Sequence, residues 1–422
     1  MSTHLTTSVR QLRQTQLEVI VQSLENHYAV GIANEPTEIC VGPQKTEPTV
    51  ESSTRELSLV IECIETIEGI SSIGSELNRL SSVPFLKTPW MVAWLESYRP
   101  QFESIKFLVC RNHGEPVAFL PLVLRRSLQR GRQLVFVGSG KTCADFLTIA
   151  GEAVCPKVID TFAIWFWDNR SEWDLLELDG VQSDDSLIHS LVKNLSQKGC
   201  QSVELSALAT WRTELPENWK SFETMLSKNS RKKFRRLARG LEEAGAKFRY
   251  VDDQESLEQG LSILKELHTK RWVSLGEDGC FAAPNFEKFV DRLAHAHFRQ
   301  GTLRLVWLEL EGQPIAADIA FVSGNGLFTY QGGIDPEQLK WEPGRAILRC
   351  QIERAMDEGL EFIDFLRGDE GYKSRWQAFA SDAVRIQVAS VGWRSKAIFC
   401  FLHLGRKAKR VLKNVVASTK KR

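Results

Sequence analysis

LRLVWLELEGQPIAADIAFVSGNGLFTYQ, residues 303–331, decides the fold class. Leu303–Leu310 is an apolar run of strand length. Glu311-Gly312-Gln313-Pro314 turns it back into Ile315–Val322. Ser323-Gly324-Asn325-Gly326 turns again into Leu327–Gln331. Tight turns rich in Gly and Pro between short apolar runs predict an antiparallel meander. Downstream, a loop leads to a helix over Gly344–Glu358, a strand over Phe362–Leu366, a short helix near Tyr372–Phe379 and a last strand over Ala383–Ser390.

Upstream, the second half opens with Ser227-Lys228-Asn229-Ser230-Arg231-Lys232-Lys233-Phe234-Arg235-Arg236-Leu237. Phe234, Leu237, Ala238, Leu241 and Ala244 recur at helical spacing, which predicts an amphipathic helix with a basic outer face. A strand over Ala246–Val251 and helices over Leu257–Trp272 and Asn285–Arg299 precede the meander. The first half has the same order. It predicts a helix over Pro89–Tyr98, a hairpin of Ile105–Arg111 and Pro116–Leu124 around Asn112-His113-Gly114-Glu115, and a strand over Arg132–Val137. A helix over Val154–Trp167, a strand over Asp174–Leu178, a helix over Asp184–Lys198 and a strand over Ser202–Leu205 follow. This order implies an α+β chain of two tandem lobes, each a mixed, mostly antiparallel sheet flanked by helices. The residues themselves show no repeat. The expected divisions are a flexible leader over 1–80, an N-terminal lobe over 81–210, a C-terminal lobe over 211–392 and a basic amphipathic tail helix over 393–422. The leader is expected to hold one short helix or strand near Leu57–Ile67.

Composition narrows the function. The chain has 422 residues, 43% hydrophobic and 25% charged, as ordinary globular proteins do. Its net charge of +1 gives no global pull toward a polyanion. Residues 392–422 nevertheless hold ten Lys or Arg and no Asp or Glu, leaving 44 basic against 53 acidic residues before them, a net of −9. Nine cysteines without a CxxC fit a reducing compartment and neither a disulfide framework nor a zinc knuckle. The opening residues have no apolar core of a secretory signal, and no stretch has the length of a membrane span, so a cytoplasmic protein is expected. Gly138-Ser139-Gly140-Lys141-Thr142 resembles the end of a P-loop, but Val135 stands where the first Gly is required. His295 and His297, at i and i+2 of a helix, point apart, so no metal is expected there.

From about Val83 to Ser390 the chain resembles the bacterial GNAT-like acetyltransferases, specifically the group called BioF2-like or CelD-like. The resemblance rests on Phe85–Trp94, Ser227-x-Asn229-x-Arg231-Lys232, His268-x-x-Arg271-Trp272, Gly312-x-Pro314-Ile315-Ala316-Ala317, Pro343-Gly344 and Asp364-Phe365-Leu366-Arg367-Gly368-Asp369-Glu370-x-Tyr372-Lys373-x-x-Trp376. The last motif is the most specific; the others count through their order. Fem-type aminoacyltransferases of peptidoglycan assembly share the two-lobed plan. The resemblance implies two GNAT-like lobes sharing one cleft, acetyl-CoA or another acyl-CoA as co-substrate, and an amine acceptor. CelD-like members are linked by name to cellulose or exopolysaccharide production.

The donor element is Trp341-Glu342-Pro343-Gly344-Arg345-Ala346. A helix N-terminus offers unpaired N–H groups and the positive end of a dipole, which suits a pyrophosphate. GNAT enzymes usually carry Gln/Arg-x-x-Gly-x-Gly/Ala here. Gly344-x-Ala346 fits its end, whereas Trp341 takes the Gln/Arg place and a long loop, Gly333–Glu342, precedes it. Gln331, Gly332, Pro343, Gly344, Arg345 and Ala346 are the expected cofactor-binding residues; an ordinary Pro-Gly helix start is the plain alternative. Backbone N–H groups beside Phe328–Gln331 are the expected oxyanion donors, by GNAT analogy.

Asp364, Asp369, Tyr372 and Lys373 are the expected catalytic residues. Asp369 or Glu370 offers a carboxylate to take the proton of an attacking ammonium, and Lys373 a compact cation for a phosphate, carboxylate or thioester oxygen. A solvated acidic loop paired with Arg367 is the alternative for the carboxylates. Arg231, Lys232 and Arg235 of the basic helix, together with His268, Arg271, Trp272 and Trp376, are the expected substrate-binding set. A solvated helix face and a structural imidazole are the alternatives.

Ile398, Phe401, Leu404, Ala408, Val411, Leu412, Val415 and Val416 fall at helical spacing, with Arg406, Lys407, Lys409, Arg410 and Lys413 between them. Such a helix either lies on an anionic membrane face, at the inner side of the plasma membrane, or docks on the body. Three functions stand at this point. The first is acyl-CoA-dependent N-acyl transfer to a small-molecule or glycan amine, amino sugars included. The second is aminoacyl transfer from a charged tRNA, for which no Fem-type helical arm is evident. The third is a non-catalytic scaffold of a polysaccharide complex. No DNA partner is expected.

Overall fold

The computed structural model describes residues 58–405. In chain order the first part runs β1 (Leu59–Ile64), α1 (Ile67–Ser72), α2 (Gly74–Arg79), α3 (Thr88–Ser97), β2 (Ser104–Asn112), β3 (Glu115–Ser127), β4 (Gly131–Phe136), α4 (Pro156–Asp168), β5 (Leu175–Gln182), α5 (Ser186–Gln197) and β6 (Gln201–Ser206). The second runs β7 (Thr210–Glu214), α6 (Trp219–Met225), α7 (Lys228–Glu243), β8 (Lys247–Tyr250), α8 (Gln254–Ser274), α9 (Pro284–Arg299), β9 (Leu303–Leu310), β10 (Gln313–Ser323), β11 (Gly326–Ile334), α10 (Pro343–Asp357), β12 (Phe362–Arg367), β13 (Phe379–Ser381) and β14 (Ala383–Ala389).

Two mixed seven-stranded sheets result, β1-β2-β3-β4-β5-β14-β6 and β13-β7-β12-β11-β10-β9-β8. Each has an antiparallel meander, one parallel pair (β4 with β5, β11 with β12) and antiparallel strands beyond. The α+β, two-lobed plan read from the sequence is the plan observed. The linear division between lobes is not. β14, last in the chain and expected in the C-terminal lobe, lies in the first sheet between β5 and β6, whereas β7 lies in the second sheet as the division at 210/211 requires. The strand itself was expected over Ala383–Ser390, but alternation along a strand does not say which strands it pairs with, so the sequence hides such a crossing.

The expected boundary of the leader at residue 80 does not hold either. Residues 58–80 belong to the fold: β1 pairs with β2 from Leu59↔Asn112 to Ile64↔Phe107, and Ile70 and Leu77 are fully buried. Residues 1–57 and 406–422, with most of the expected leader and the far part of the tail, lie outside the described residues. Residues 393–405 are helical, and Phe399 packs with Leu175 and Ala389 of the first sheet.

α3 ties the lobes together. Its sequence, TPWMVAWLES, is apolar almost all round, as a helix buried on every side must be. Trp90 lies edge-on to Phe85 at 4.6 Å, to Phe289 of α9 at 4.9 Å and to Tyr330 of β11 at 5.1 Å between ring centroids. The Phe85–Trp94 motif is thus the aromatic centre of the molecule and the support on which β11 rests.

Candidate active site

β11 pairs with β10 along its length, but with β12 only from Gly326↔Phe362 to Phe328↔Asp364. Beyond Phe328 the two strands part. Tyr330 is the extra residue of a bulge, since the register passes from Ile319↔Gln331 to Ala320↔Thr329. Its hydroxyl donates to the Thr142 carbonyl at 3.0 Å. On the other side, Leu366 takes a φ of 57°, bending the end of β12 away. A cleft of about 1080 Å³ opens there. Its walls come from β10, β11, the start of α10, the inner face of α7, the end of α8 and the loop after β12.

Asp318 of β10 lies on the floor. Its side chain faces α10, where Gln351 Nε2 donates to Asp318 Oδ1 at 3.0 Å and to the Arg304 carbonyl at 3.2 Å. Across the register sits Gly332, where a Cβ would lie 3.3 Å from Asp318 Oδ2. Glycine therefore keeps room beside the carboxylate. Asp318 opens partly to the cleft but is otherwise ringed by protein. Burial pushes its pKa up to about 7, against the opposing hydrogen bond from Gln351. This residue was not among the expected ones. The signal for it was there: one carboxylate inside the apolar strand Ile315–Val322.

The expected catalytic residues divide. Tyr372 lines the cleft with 43% of its surface exposed, and burial of its phenol, reinforced by Glu370 and Asp318, raises its pKa. Lys373 is 1% exposed. Its Nζ donates to the carbonyls of Leu366 and Arg367 at 3.1 Å each and of Gly368 at 3.4 Å, and lies 2.9 Å from a Glu370 oxygen. The ammonium caps the chain where it leaves β12 and has no donor left for a substrate. Asp364 is fully buried, accepts from the Leu366 N–H at 2.9 Å and from Arg212 at 3.1 Å, and stays outside the cleft lining. Burial raises its pKa to about 6 despite those two donors. Asp369 is exposed and lies outside the lining as well.

Of the expected cofactor residues, Gln331, Gly332, Pro343, Gly344 and Arg345 line the cleft, and Ala346 is buried one step further along α10. Glu342, at φ 46°, turns the chain into the helix without a side-chain cap, and its carboxylate bridges Lys233 at 3.0 Å and Arg345 at 2.8 Å. Trp341 sits behind this turn, against the cluster of Ala346, Ile347 and Cys350.

The substrate-binding set also divides. Arg271, Trp272 and Trp376 line the cleft. Trp376 is 3% exposed and packs beneath Phe234, ring centroids 4.8 Å apart. His268 is buried behind Arg271 and Trp272. Cys280 Sγ lies 3.3 Å from His268 Nε2 and donates to Gln331 Oε1 at 3.7 Å. Burial pushes the His268 pKa down to about 4, so the ring is neutral at pH 7. Arg231, Lys232 and Arg235 stay outside the lining, and Arg235 pairs on the surface with Glu223. Asn229, Ser230, Lys233 and Phe234 of the same helix face the cleft instead. Residues 229 and 233 are one turn apart, while 231 and 235 lie on the far side, so the correction follows from helical spacing.

The corresponding gap in the first sheet is occupied by the chain itself. β4 and β5 pair only from Gln133↔Leu175 to Val135↔Glu177. Beyond them the loop after β4 fills the space, with the Leu147 N–H on the Gly180 carbonyl at 3.0 Å. Arg367 crosses from the second sheet into this loop. Its backbone N–H and its Nε both reach the Asp145 carboxylate, at 2.9 Å and 2.5 Å. Among the described residues, no group of three or more His, Cys, Asp or Glu could hold a metal ion, and no helix is long and apolar enough to cross a membrane.

Residues 228–374, from the start of α7 through Ser374, match the acetyltransferase (GNAT) domain family. No curated protein matches the chain. Among solved structures, FemX aligns at 12% identity with a TM-score of 0.56, over 78% of this chain and 96% of that one. A conserved protein of unknown function from Bacteroides thetaiotaomicron VPI-5482 aligns at 11% identity and 0.50, over 78% and 99%. At such identities the likeness is one of fold, and it extends over both lobes.

Proposed function

We propose that the chain is an acyl-CoA-dependent N-acyltransferase, most simply an N-acetyltransferase of the CelD-like group, with Asp318 as its proton acceptor. The observation that carries this is the place of Asp318: a carboxylate on the cleft floor, ringed by protein, held by Gln351 at 3.0 Å and set across the strand pair from Gly332. An acceptor amine arrives as an ammonium and must lose a proton before it attacks. A base that titrates near the working pH does this best. The amine nitrogen then bonds to the thioester carbonyl carbon, the C–S bond breaks, and CoA leaves as the thiolate that takes up a proton.

The surrounding residues suit such a donor. The bulge at Tyr330 and the unpaired flank of β11 beyond Phe328 offer backbone to a carbonyl oxygen. Gly332 and Gly344 allow close backbone approach, and α10 begins at the cleft with its dipole pointing in. Lys233 and Arg345 supply charge for phosphate, in exchange for their contacts with Glu342. Trp272 and Tyr372, each more than 40% exposed at the cleft, offer ring faces to a sugar-borne amine. That supports an amino-sugar or glycan acceptor, and the resemblance to CelD-like proteins suggests one used in exopolysaccharide or cellulose production.

The test is release of CoA thiol from acetyl-CoA with a panel of amino sugars and simple amines, beside calorimetric binding of acetyl-CoA and longer acyl-CoAs. Turnover that collapses in Asp318→Asn is the expected result. A folded protein that binds no acyl-CoA would overturn it. The likeness to FemX favours aminoacyl transfer from a charged tRNA as the second reading; salt-dependent tRNA binding that blocks turnover would select it.

A further inference from the structure

The C-terminal helix has two apolar faces, and only one is covered. Toward the body, Phe399 is 8% exposed against Leu175 and Ala389, with Ile398 and Leu402 beside it. Ser395 Oγ donates to Asp174 Oδ1 at 3.2 Å. The opposite face carries Trp393, Ala397, Cys400, Phe401 and Leu404, all exposed. Trp393 is 84% exposed, Phe401 70% and Leu404 66%. At 3.6 residues per turn these five positions fall within roughly 100° of arc, about half a turn from the docked face. Single exposed apolar residues need no explanation; a stripe of large ones does.

The sequence around the stripe identifies its occupant. Arg394 and Lys396 flank it on the helix. Residues 406–422 add eight Lys or Arg and no carboxylate, and Ala408, Val411 and Val415 keep the spacing of the stripe. An apolar stripe opened by Trp and bordered by cations is the composition of a segment that lies in a bilayer interface. We infer that this face docks on an anionic lipid surface, with Trp393, Phe401 and Leu404 entering the headgroup region and the basic residues meeting lipid phosphates. The body's own hold on Phe399 and Ser395 keeps the stripe turned outward, so the soluble domain is carried by the membrane without spanning it. None of these residues lines the cleft, so the inference is independent of the transfer reaction.

The test uses the full chain and sedimentation with vesicles of phosphatidylcholine, alone or with roughly 30% phosphatidylglycerol. Binding to the anionic vesicles should exceed binding to the neutral ones by roughly tenfold or more and fall with salt. W393S/F401S/L404S, all outward positions, should weaken it roughly tenfold with an unchanged circular dichroism spectrum. Neutralising Lys407, Lys409 and Arg410 to Gln should do the same without touching the stripe. Equal binding by the wild type and the serine variant overturns the inference. So does a stripe-dependent dimer in sedimentation velocity without lipid, or stripe-dependent binding to tRNA.

Discussion

Gln351 donates one amide proton to Asp318 at 3.0 Å and the other to the Arg304 carbonyl at 3.2 Å, so the amide cannot turn without losing both bonds. A fixed donor stabilises the charged carboxylate and moderates the rise that burial causes. The rate should therefore climb with pH through about 7, as Asp318 loses its proton. In Gln351→Leu the midpoint should move upward, because the donor that favours the anion is gone. Asp318→Asn should abolish this limb and lower kcat/KM by roughly 10²–10⁴. The kcat/KM profile from pH 5 to pH 9 is the measurement, and an unmoved midpoint in the leucine variant would reject the coupling.

Lys373 is a positioning residue. Lys373→Met leaves the Leu366, Arg367 and Gly368 carbonyls without their ammonium donor, in a segment that includes a residue at φ 57°. Unsatisfied buried carbonyls should cost roughly 2–4 kcal/mol in all. Thermal unfolding should shift down together with kcat, while KM for acyl-CoA stays near the wild-type value. A raised KM with unchanged stability would instead return Lys373 to the substrate.

Arg367 and Asp145 join the two lobes at the edge of the cleft. Asp145 is 1% exposed, and the Arg367 guanidinium also reaches the Ala144 carbonyl at 2.5 Å. Asp145→Leu leaves the buried Arg367 guanidinium with Asp179, 3.8 Å away, as its remaining counter-charge, so it should cost roughly 3 kcal/mol in urea unfolding, the lower end for a broken buried pair. The double variant with Arg367→Met should recover much of that loss. A double-mutant cycle with coupling near zero would show the pair to be incidental.

These contacts mark the limit of what sequence reading reaches. The meander over 303–331, the basic helix from Lys228 and the Pro-Gly helix start were legible because their patterns are local. The return of β14 to the first sheet was not, since pairing partners such as Ile386↔Leu178 are far apart in the chain. Lys373 shows the same limit at the site. Its place in a motif near the cleft was readable, but the three carbonyls that claim its protons exist only once β12 bends. Asp318 was overlooked for the opposite reason: no motif contains it, and its meaning lies in being charged where its neighbours are apolar.

Gly333 permits the contact between β11 and α8. A Cβ there would lie 2.4 Å from the His268 backbone nitrogen and 2.8 Å from the Leu267 carbonyl carbon. Neither atom can swing aside as a flexible side chain would. Gly333→Ala should therefore push the strand from the helix, at a cost of roughly 1–3 kcal/mol, and disturb the bulge three residues earlier. Stability and kcat/KM should fall together; an alanine variant with wild-type values of both would show that the strand end yields freely.

His297 should reveal itself through acid stability. Its Nδ1 meets Thr302 Oγ1 at 2.8 Å, its ring stacks obliquely 4.4 Å from Phe321, and burial pushes its pKa down to about 3. In the unfolded chain the imidazole titrates near ~6.5. Between those values the unfolded state binds more protons, so this group's contribution is complete above about pH 6.5 and is lost as pH falls toward 3. Asp318 works in the opposite sense. Its raised pKa of about 7 makes the folded state hold the extra proton, so its contribution declines as pH rises from about 4 to 7. The two slopes overlap and mask each other in the wild type. The difference between wild type and His297→Phe isolates the first. Wild-type stability minus variant stability should rise by roughly 3 kcal/mol from pH 4 to pH 7, at 1.36 kcal/mol per pH unit over the protonation gap. Urea unfolding at closely spaced pH values measures it, and a difference that stays flat across that range would mean that the ring finds a partner for its proton inside the fold.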